Sequence, residues 1–332
     1  MTTVPKKKGF LNFFPTPEYL LLSTSGLAIT DDSIKLLQFE HNFFTQNLKL
    51  SYYDKVSLPQ GIVESGFIND AEKLTTVLKE LSKGYGFKYV YATLPEERAY
   101  LFSATIDRVP SEGLRDAVAF IIEENVPVSL ADSVFDFDVV EELKETNQIK
   151  VTVSVLAKKV VDFYIQVFEA AGVTPVSFDI ESQAIARAIV PEGDKRTQLI
   201  VNLTDAKTGF YIVEDEVVQF TTTLPYGTKS PLSFENLKNE MAKIFAYWSS
   251  RNAGSGLPPR QIEKILLCGL GAYNQDFVAD LMREVTIESA SANLWANVGR
   301  PINDLPERVT KESLDYTSTV GLVIPHRHPV YV

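Results

Sequence analysis

Ser23-Thr24-Ser25-Gly26-Leu27-Ala28-Ile29-Thr30-Asp31-Asp32-Ser33-Ile34-Lys35-Leu36-Leu37-Gln38-Phe39 reads as two strands folded back on one another. Two apolar runs, Ser23–Ile29 and Ser33–Phe39, are parted by Thr30-Asp31-Asp32, polar residues suited to a chain reversal. A third strand, Leu48–Val56, follows. The same grammar returns after the polar stretch Pro191–Arg196. There Gln198–Leu203 and Gly209–Val213 flank a Thr204–Thr208 turn, and Val217–Leu224 supplies another third strand. Both halves continue with a helix and a short strand, so the chain reads as an internally duplicated α/β protein.

Between the two hairpins the periodicity is mixed. Asp70–Leu81 spaces Ala71, Leu74, Val77, Leu78 and Leu81 as one helix face, and Lys88–Thr93 is a short buried-strand run. Beyond Pro95, Ala99–Ile106 alternates as a strand, and Ser111–Asn125 reads as a helix with Ser111 as its N-cap. Val134–Val140 and Ile149–Ala157 are two further strands. This β-α-β-β unit is expected to be a subdomain inserted into the first half. Lys159–Ala171 and Ile180–Ile189 are helices around the strand Val173–Phe178, and Phe234–Trp248 is a helix of the second half. The expected division is a tail (1–17), a first domain (18–98), the inserted subdomain (99–158), a return (159–192), a second domain (193–312) and a closing return (313–332).

Composition limits the chemistry. Of 332 residues, 45% are hydrophobic and 23% charged, as in ordinary globular proteins, and the net charge of −11 opposes nucleic-acid binding. The single cysteine, Cys268, excludes an internal disulfide and fits a reducing compartment. No apolar run approaches the roughly 20 residues that cross a bilayer. His41, His326 and His328 fall in no metal-ligand spacing, and neither a phosphate-loop lysine motif nor a Gly-x-Ser-x-Gly elbow occurs, so no catalytic residue and no metal site is assigned. Lys6, Lys7 and Lys8, followed by Phe10, Leu11, Phe13 and Phe14, read either as a weak membrane-surface contact or as a frayed end.

Several stretches together resemble the PilM family of type IV pilus assembly proteins, within the actin-like ATPase superfamily. They are Gly26–Leu37; Phe120-Ile121-Ile122-Glu123-Glu124-Asn125-Val126-Pro127 with Asp136-Phe137-Asp138; Val167–Pro175 leading to Glu181–Arg187; Ile265–Ala272; and Tyr316–Leu322. The resemblance implies an actin-like ATPase fold and a cleft for ATP and magnesium between the halves. Its nucleotide contacts would fall on Thr30, Asp31, Asp32, Ser33, Lys35, Asn202, Thr204, Lys238, Gly269 and Gly271. Yet Ala28 stands where the family's first metal-holding Asp is expected, and Asn202 at the second, while Thr30 and Thr204 replace turn glycines. Phosphoryl transfer depends on positioned metal and charge, so hydrolysis is not expected and nucleotide binding should be weak. Asp31, Asp32 and Asp205 also read as plain turn formers, and Gly269 and Gly271 as an ordinary strand-to-helix turn. The passage from Val217–Leu224 almost directly to the next helix indicates a reduced lid.

The resemblance further implies a cytoplasmic scaffold at the inner face of the inner membrane, which binds the N-terminal cytoplasmic peptide of a PilN-like membrane protein within the pilus assembly platform. Membrane contact would be indirect, and self-association is left open. The peptide is expected between the first domain and the inserted subdomain, against Arg115, Ala119, Glu123, Glu124, Phe135 and Phe137, with the acidic pair facing a basic peptide. Two other readings stand beside it. One is an ATP-driven switch of the same fold. The other is a cell-division or secretion relative, expected to carry a C-terminal amphipathic anchor or a transmembrane segment respectively.

Overall fold

In the computed structural model, which describes residues 24–41, 48–230, 233–251, 260–298 and 312–324, β1 (Thr24–Ile29) and β2 (Ser33–His41) pair antiparallel with Ile29 opposite Ile34. The lysine and aromatic tail, His326 and His328 lie outside the described residues. β3 (Leu48–Ser57) pairs with the far side of β2. β4 (Val63–Glu64) and β5 (Phe67–Ile68) make a small hairpin, too short for its alternation to register in sequence. Helix α1 (Ala71–Tyr85) begins where the Asp70 carboxylate accepts the Lys73 N–H and runs on to Gly86, one turn beyond the expected end. β6 (Tyr89–Leu94) then lies parallel to β1.

The inserted unit follows as β7 (Ala99–Asp107), α2 (Leu114–Asn125), β8 (Ser133–Leu143) and β9 (Gln148–Ala157), in the sheet order β7-β9-β8. Ser111 does not cap α2. It opens a short 3-10 turn, and the helix's own cap position is Gly113, which has no side chain to offer. Leu114, Val118 and Ile122 pack with Val151, Val153, Val155 and Phe137 in a core of their own.

Helix α3 (Lys158–Ala170), β10 (Thr174–Ile180) and α4 (Glu181–Ile189) complete the first half. β11 (Gln198–Leu203), β12 (Thr208–Glu214) and β13 (Val217–Leu224) open the second. Helix α5 (Ser233–Ser250), β14 (Lys264–Cys268), α6 (Gln275–Met282), β15 (Glu288–Ser291) and α7 (Thr317–Val323) follow.

The two large sheets have the same plan. The first runs β3-β2-β1-β6-β10 and the second β13-β12-β11-β14-β15. In each, two antiparallel pairings build the hairpin side and two parallel ones the other. β15 was not expected, because Glu-Ser-Ala-Ser carries no apolar alternation; its place at the sheet edge requires none.

Leu27, Ile34, Leu74, Leu78, Val90 and Phe168 bury the first sheet against α1 and α3. Ile200, Phe210, Ile212, Leu237, Trp248 and Ile265 form the second core, joined by Ile185 and Ile189 of α4 and Val320 of α7. Each such side chain contributes about 1.5–3 kcal/mol on burial. Helices α4 and α7 pack closely enough that a Cβ on Gly321 would lie 1.7 Å from the Ala184 carbonyl oxygen.

Candidate functional site

The registers Ile29↔Ile34 and Leu203↔Thr208 align the two hairpin turns residue by residue, matching Thr30 with Thr204, Asp31 with Asp205, and Ala28 with Asn202. Each threonine closes its own turn. Thr30 N–H donates to the Ser33 carbonyl at 2.9 Å, and Thr204 N–H to the Lys207 carbonyl at 3.0 Å. The Thr204 hydroxyl donates to the same Lys207 carbonyl at 2.7 Å, and the Thr30 hydroxyl to Asp32 Oδ1 at 2.7 Å. Both hydroxyls are thereby committed within the protein.

Asp32 also accepts from the Ser33 hydroxyl at 3.0 Å. Burial would raise its carboxyl, but the bonds from Thr30 and Ser33 and the charges of Lys35 and Lys55 hold it below the usual value. Asp31 turns the other way and accepts the Ser65 N–H at 3.1 Å and the Gly66 N–H at 3.3 Å, from the β4–β5 hairpin. Asp205 pairs with the exposed Lys229.

Lys35 reaches Asp315, just before α7, at 2.6 Å, and Lys55 reaches the other oxygen at 2.8 Å. Burial opposes the charged Asp315 carboxylate, yet Lys35 and Lys55 hold its pKa low. Lys207 crosses from the second turn to Glu97 at 2.5 Å and Asp31 at 3.8 Å. Burial would lower the pKa of Lys207, but Glu97, Glu181 and Asp31 hold it above the ordinary lysine value. Glu181, at the start of α4, is pushed up by burial against the pull of Lys207 and Lys35.

Thr30, Asp31, Asp32, Lys35, Asn202, Thr204 and Gly269 therefore surround one cleft, together with Lys55, Glu181, Lys207 and Asp315. Sequence reading passed over these last four, whose partners are distant in the chain; a lysine at the second turn opposite an acidic first turn was the signal available. The cleft encloses about 40 Å³, against roughly 300–1,000 Å³ for ordinary small-molecule sites. Among the described residues no group of three or more His, Cys, Asp or Glu side chains is arranged to hold a metal ion. At the two positions where the resemblance implies metal-holding carboxylates stand the methyl of Ala28, which has no donor atom, and the amide of Asn202, whose oxygen accepts from the Cys268 thiol at 3.8 Å.

Lys238 stands apart from the cleft. It pairs with Glu284 at 3.6 Å and lines a separate pocket between α5 and α6, because the face of α5 that bears it turns toward α6. Gly269 has φ +79°, and a Cβ there would sit 2.3 Å from the Leu203 carbonyl oxygen. At Gly271 a Cβ would lie 2.5 Å from the Thr228 methyl. Close packing against β11 and its neighbours accounts for both glycines.

A second, larger cavity of about 560 Å³ lies between the first sheet and the inserted unit. Val134, Phe135 and Asp136 of β8 face Phe178, Asp179 and Ile180 of β10 across it, and Leu94, Leu156 and Val161 make an apolar floor. Both β8 and β10 are edge strands of their sheets. The Arg115 guanidinium lies 4.5 Å from the centre of the Phe135 ring and donates to the Phe135 carbonyl at 3.3 Å.

Of the expected partner residues, Arg115 and Phe135 line this groove. Ala119, Glu123 and Glu124 do not, and the Glu123 carboxylate is taken up by the Leu130 N–H at 2.8 Å. Phe137 is buried, because alternation along β8 turns it into the inserted unit's own core. Phe178, Ile180 and Val161 were placed only within a strand and two helices, and nothing in their spacing marked them as facing a groove.

A family model described as type IV pilus assembly protein PilM matches residues 26–246. The solved structure described as the PilM-PilN type IV pilus biogenesis complex superposes with a TM-score of 0.75 at 17% identity, covering 91% of this chain and 97% of that one. The cytoplasmic domain of EpsL, an inner-membrane component of the Vibrio cholerae type II secretion system, aligns at a TM-score of 0.47 and 10% identity, covering 74% and 82%. The ethanolamine utilization protein EutJ from Carboxydothermus hydrogenoformans aligns at 0.47 and 12%, covering 90% and 88%. No curated protein sequence matches the chain. Two hairpin-led halves of identical strand order, the subdomain inserted into the first of them and the match across 26–246 lead to one conclusion: this chain has the actin-like ATPase fold and belongs to the PilM family of type IV pilus assembly proteins.

Proposed function

We propose that the chain is a non-hydrolysing scaffold of pilus assembly that holds the N-terminal cytoplasmic peptide of a PilN-like inner-membrane protein, and that this partner keeps it at the membrane's inner face. One observation carries the reading: the groove of about 560 Å³ runs between two edge strands, β8 and β10, over an apolar floor. An extended peptide can add as a strand to either edge while alternate side chains enter the floor. The likeness to the solved PilM-PilN complex supports the choice of partner.

The nucleotide cleft supports the other half of the proposal. With Ala28 and Asn202 at the two metal positions, and the turn threonines bonded within their own turns, the parts that place magnesium and phosphate are missing. No catalytic step is assigned to this chain.

The test is fluorescence anisotropy with a labelled synthetic peptide, the cytoplasmic N-terminus of a PilN-like protein from the same organism. Saturable binding is expected, weakened at least tenfold by Val134→Asp, which puts a carboxylate on a 40% exposed position of the β8 edge. Equal affinity for the variant and the parent protein rejects the groove.

A further inference from the structure

Among the described residues, Lys207 is the one cleft side chain that springs from the second half and ends among acidic groups of the first. Its ammonium meets Glu97 at 2.5 Å, in the short turn after β6, and Asp31 at 3.8 Å. Its side chain is 17% exposed. Glu181, half-buried at the start of α4, is a third acidic residue lining the same cleft. Asp31 is held in place independently by the Ser65 and Gly66 N–H groups, so part of the receiving site is built without the lysine. The duplication makes the arrangement one-sided, because the residue of the first turn aligned with Lys207 is Ser33, too short to cross.

We propose that Lys207 is a built-in cation that keeps the two halves of the molecule closed with no ligand in the cleft. In this position an ammonium does what a bound cation would otherwise do: it neutralises convergent carboxylates and ties one hairpin turn to the opposite half. Closure then does not depend on nucleotide. The inference is independent of the peptide groove, which lies wholly within the first half.

The experiment measures the distance between spin labels at two exposed positions, Glu80 on α1 and Asn239 on α5, in the full chain by pulsed electron resonance; Cys268 is buried and escapes the label. A single narrow distribution is expected for the parent protein, unchanged by millimolar MgATP. Lys207→Ala should broaden it and move it to longer distances. Lys207→Arg, which keeps a cation against Glu97 and Asp31, should retain the parent distribution, whereas Glu97→Gln with Asp31→Asn, which leaves the lysine in place and removes the charges it meets, should broaden it as Lys207→Ala does. These variants keep the test decisive if the alanine form folds poorly. A Lys207→Ala distribution that coincides with the parent, an arginine form that opens, or a parent distribution that contracts with MgATP overturns the proposal.

Discussion

Asp315 concentrates electrostatic cost in one carboxylate, with Lys35 on one oxygen, Lys55 on the other and little water around it. Its depressed pKa means that the unfolded chain takes up its proton first on acidification. The stability it contributes is therefore present above about pH 4 and is lost as pH falls through its folded value. Asp315→Asn leaves Lys35 buried without its counter-charge, and chemical denaturation at pH 7 should show a loss of about 3–5 kcal/mol.

Glu96 behaves in the opposite sense. It is buried and accepts the Ser182 N–H at 2.9 Å, and burial pushes its carboxyl from 4.5 up to about 7 against the pull of that bond. Folded protein then binds the proton more tightly than unfolded, so stability falls as pH rises from about 4.5 to 7, each unit being worth about 1.4 kcal/mol. Glu96→Gln removes this loss. Its melting temperature should gain on the parent between pH 5 and pH 7 and level off above, and a constant difference across that range would refute the assignment. Neither residue was legible as a site in sequence. Asp315 lies 280 positions from Lys35, and Glu96 is one of two adjacent glutamates whose burial only the fold decides.

Elements were far more legible than sites, and the reason is periodicity. Strands such as Gln198–Leu203 and Val217–Leu224 fall on their expected residues because continuous apolar runs bounded by polar turns have few alternative readings. Where a short element draws its stability from neighbours, as in the β4–β5 hairpin and the polar edge strand β15, the pattern is absent from the sequence. The contact between α4 and α7 is a further case, since it rests on one missing side chain. Gly321→Ala would drive a methyl into the Ala184 carbonyl and force the helices apart. A loss of about 3 kcal/mol is expected in thermal or urea unfolding, and an unchanged midpoint would mean that the two helices do not meet there.

For the molecule as a whole, two clefts divide the work. The one between the halves is narrow and filled by the protein's own charges; the one beside the inserted unit is wide, apolar and flanked by open edges. Steady-state phosphate release from MgATP should stay at the buffer background, and turnover that disappears on Asn202→Ala would refute the reading of the first cleft. The resemblance carried by Gly26–Leu37 and the later motifs pointed to both clefts. It could not tell how Lys35, Lys55 and Lys207 would pair, because those partners lie far apart in the chain and meet only in the folded molecule.

The wide groove has a consequence for the protein on its own. Two edge strands beside Val134, Phe178 and Ile180 form a template that does not ask whose backbone it receives. Asp136, exposed beside it, acts as a gatekeeper, a charge that penalises stacking of identical copies and leaves a differently charged strand welcome. Such a surface ties solubility to stoichiometry. On the function proposed above, chains made in excess of the peptide are the ones exposed to edge-to-edge aggregation, which favours synthesis of the two in matched amounts.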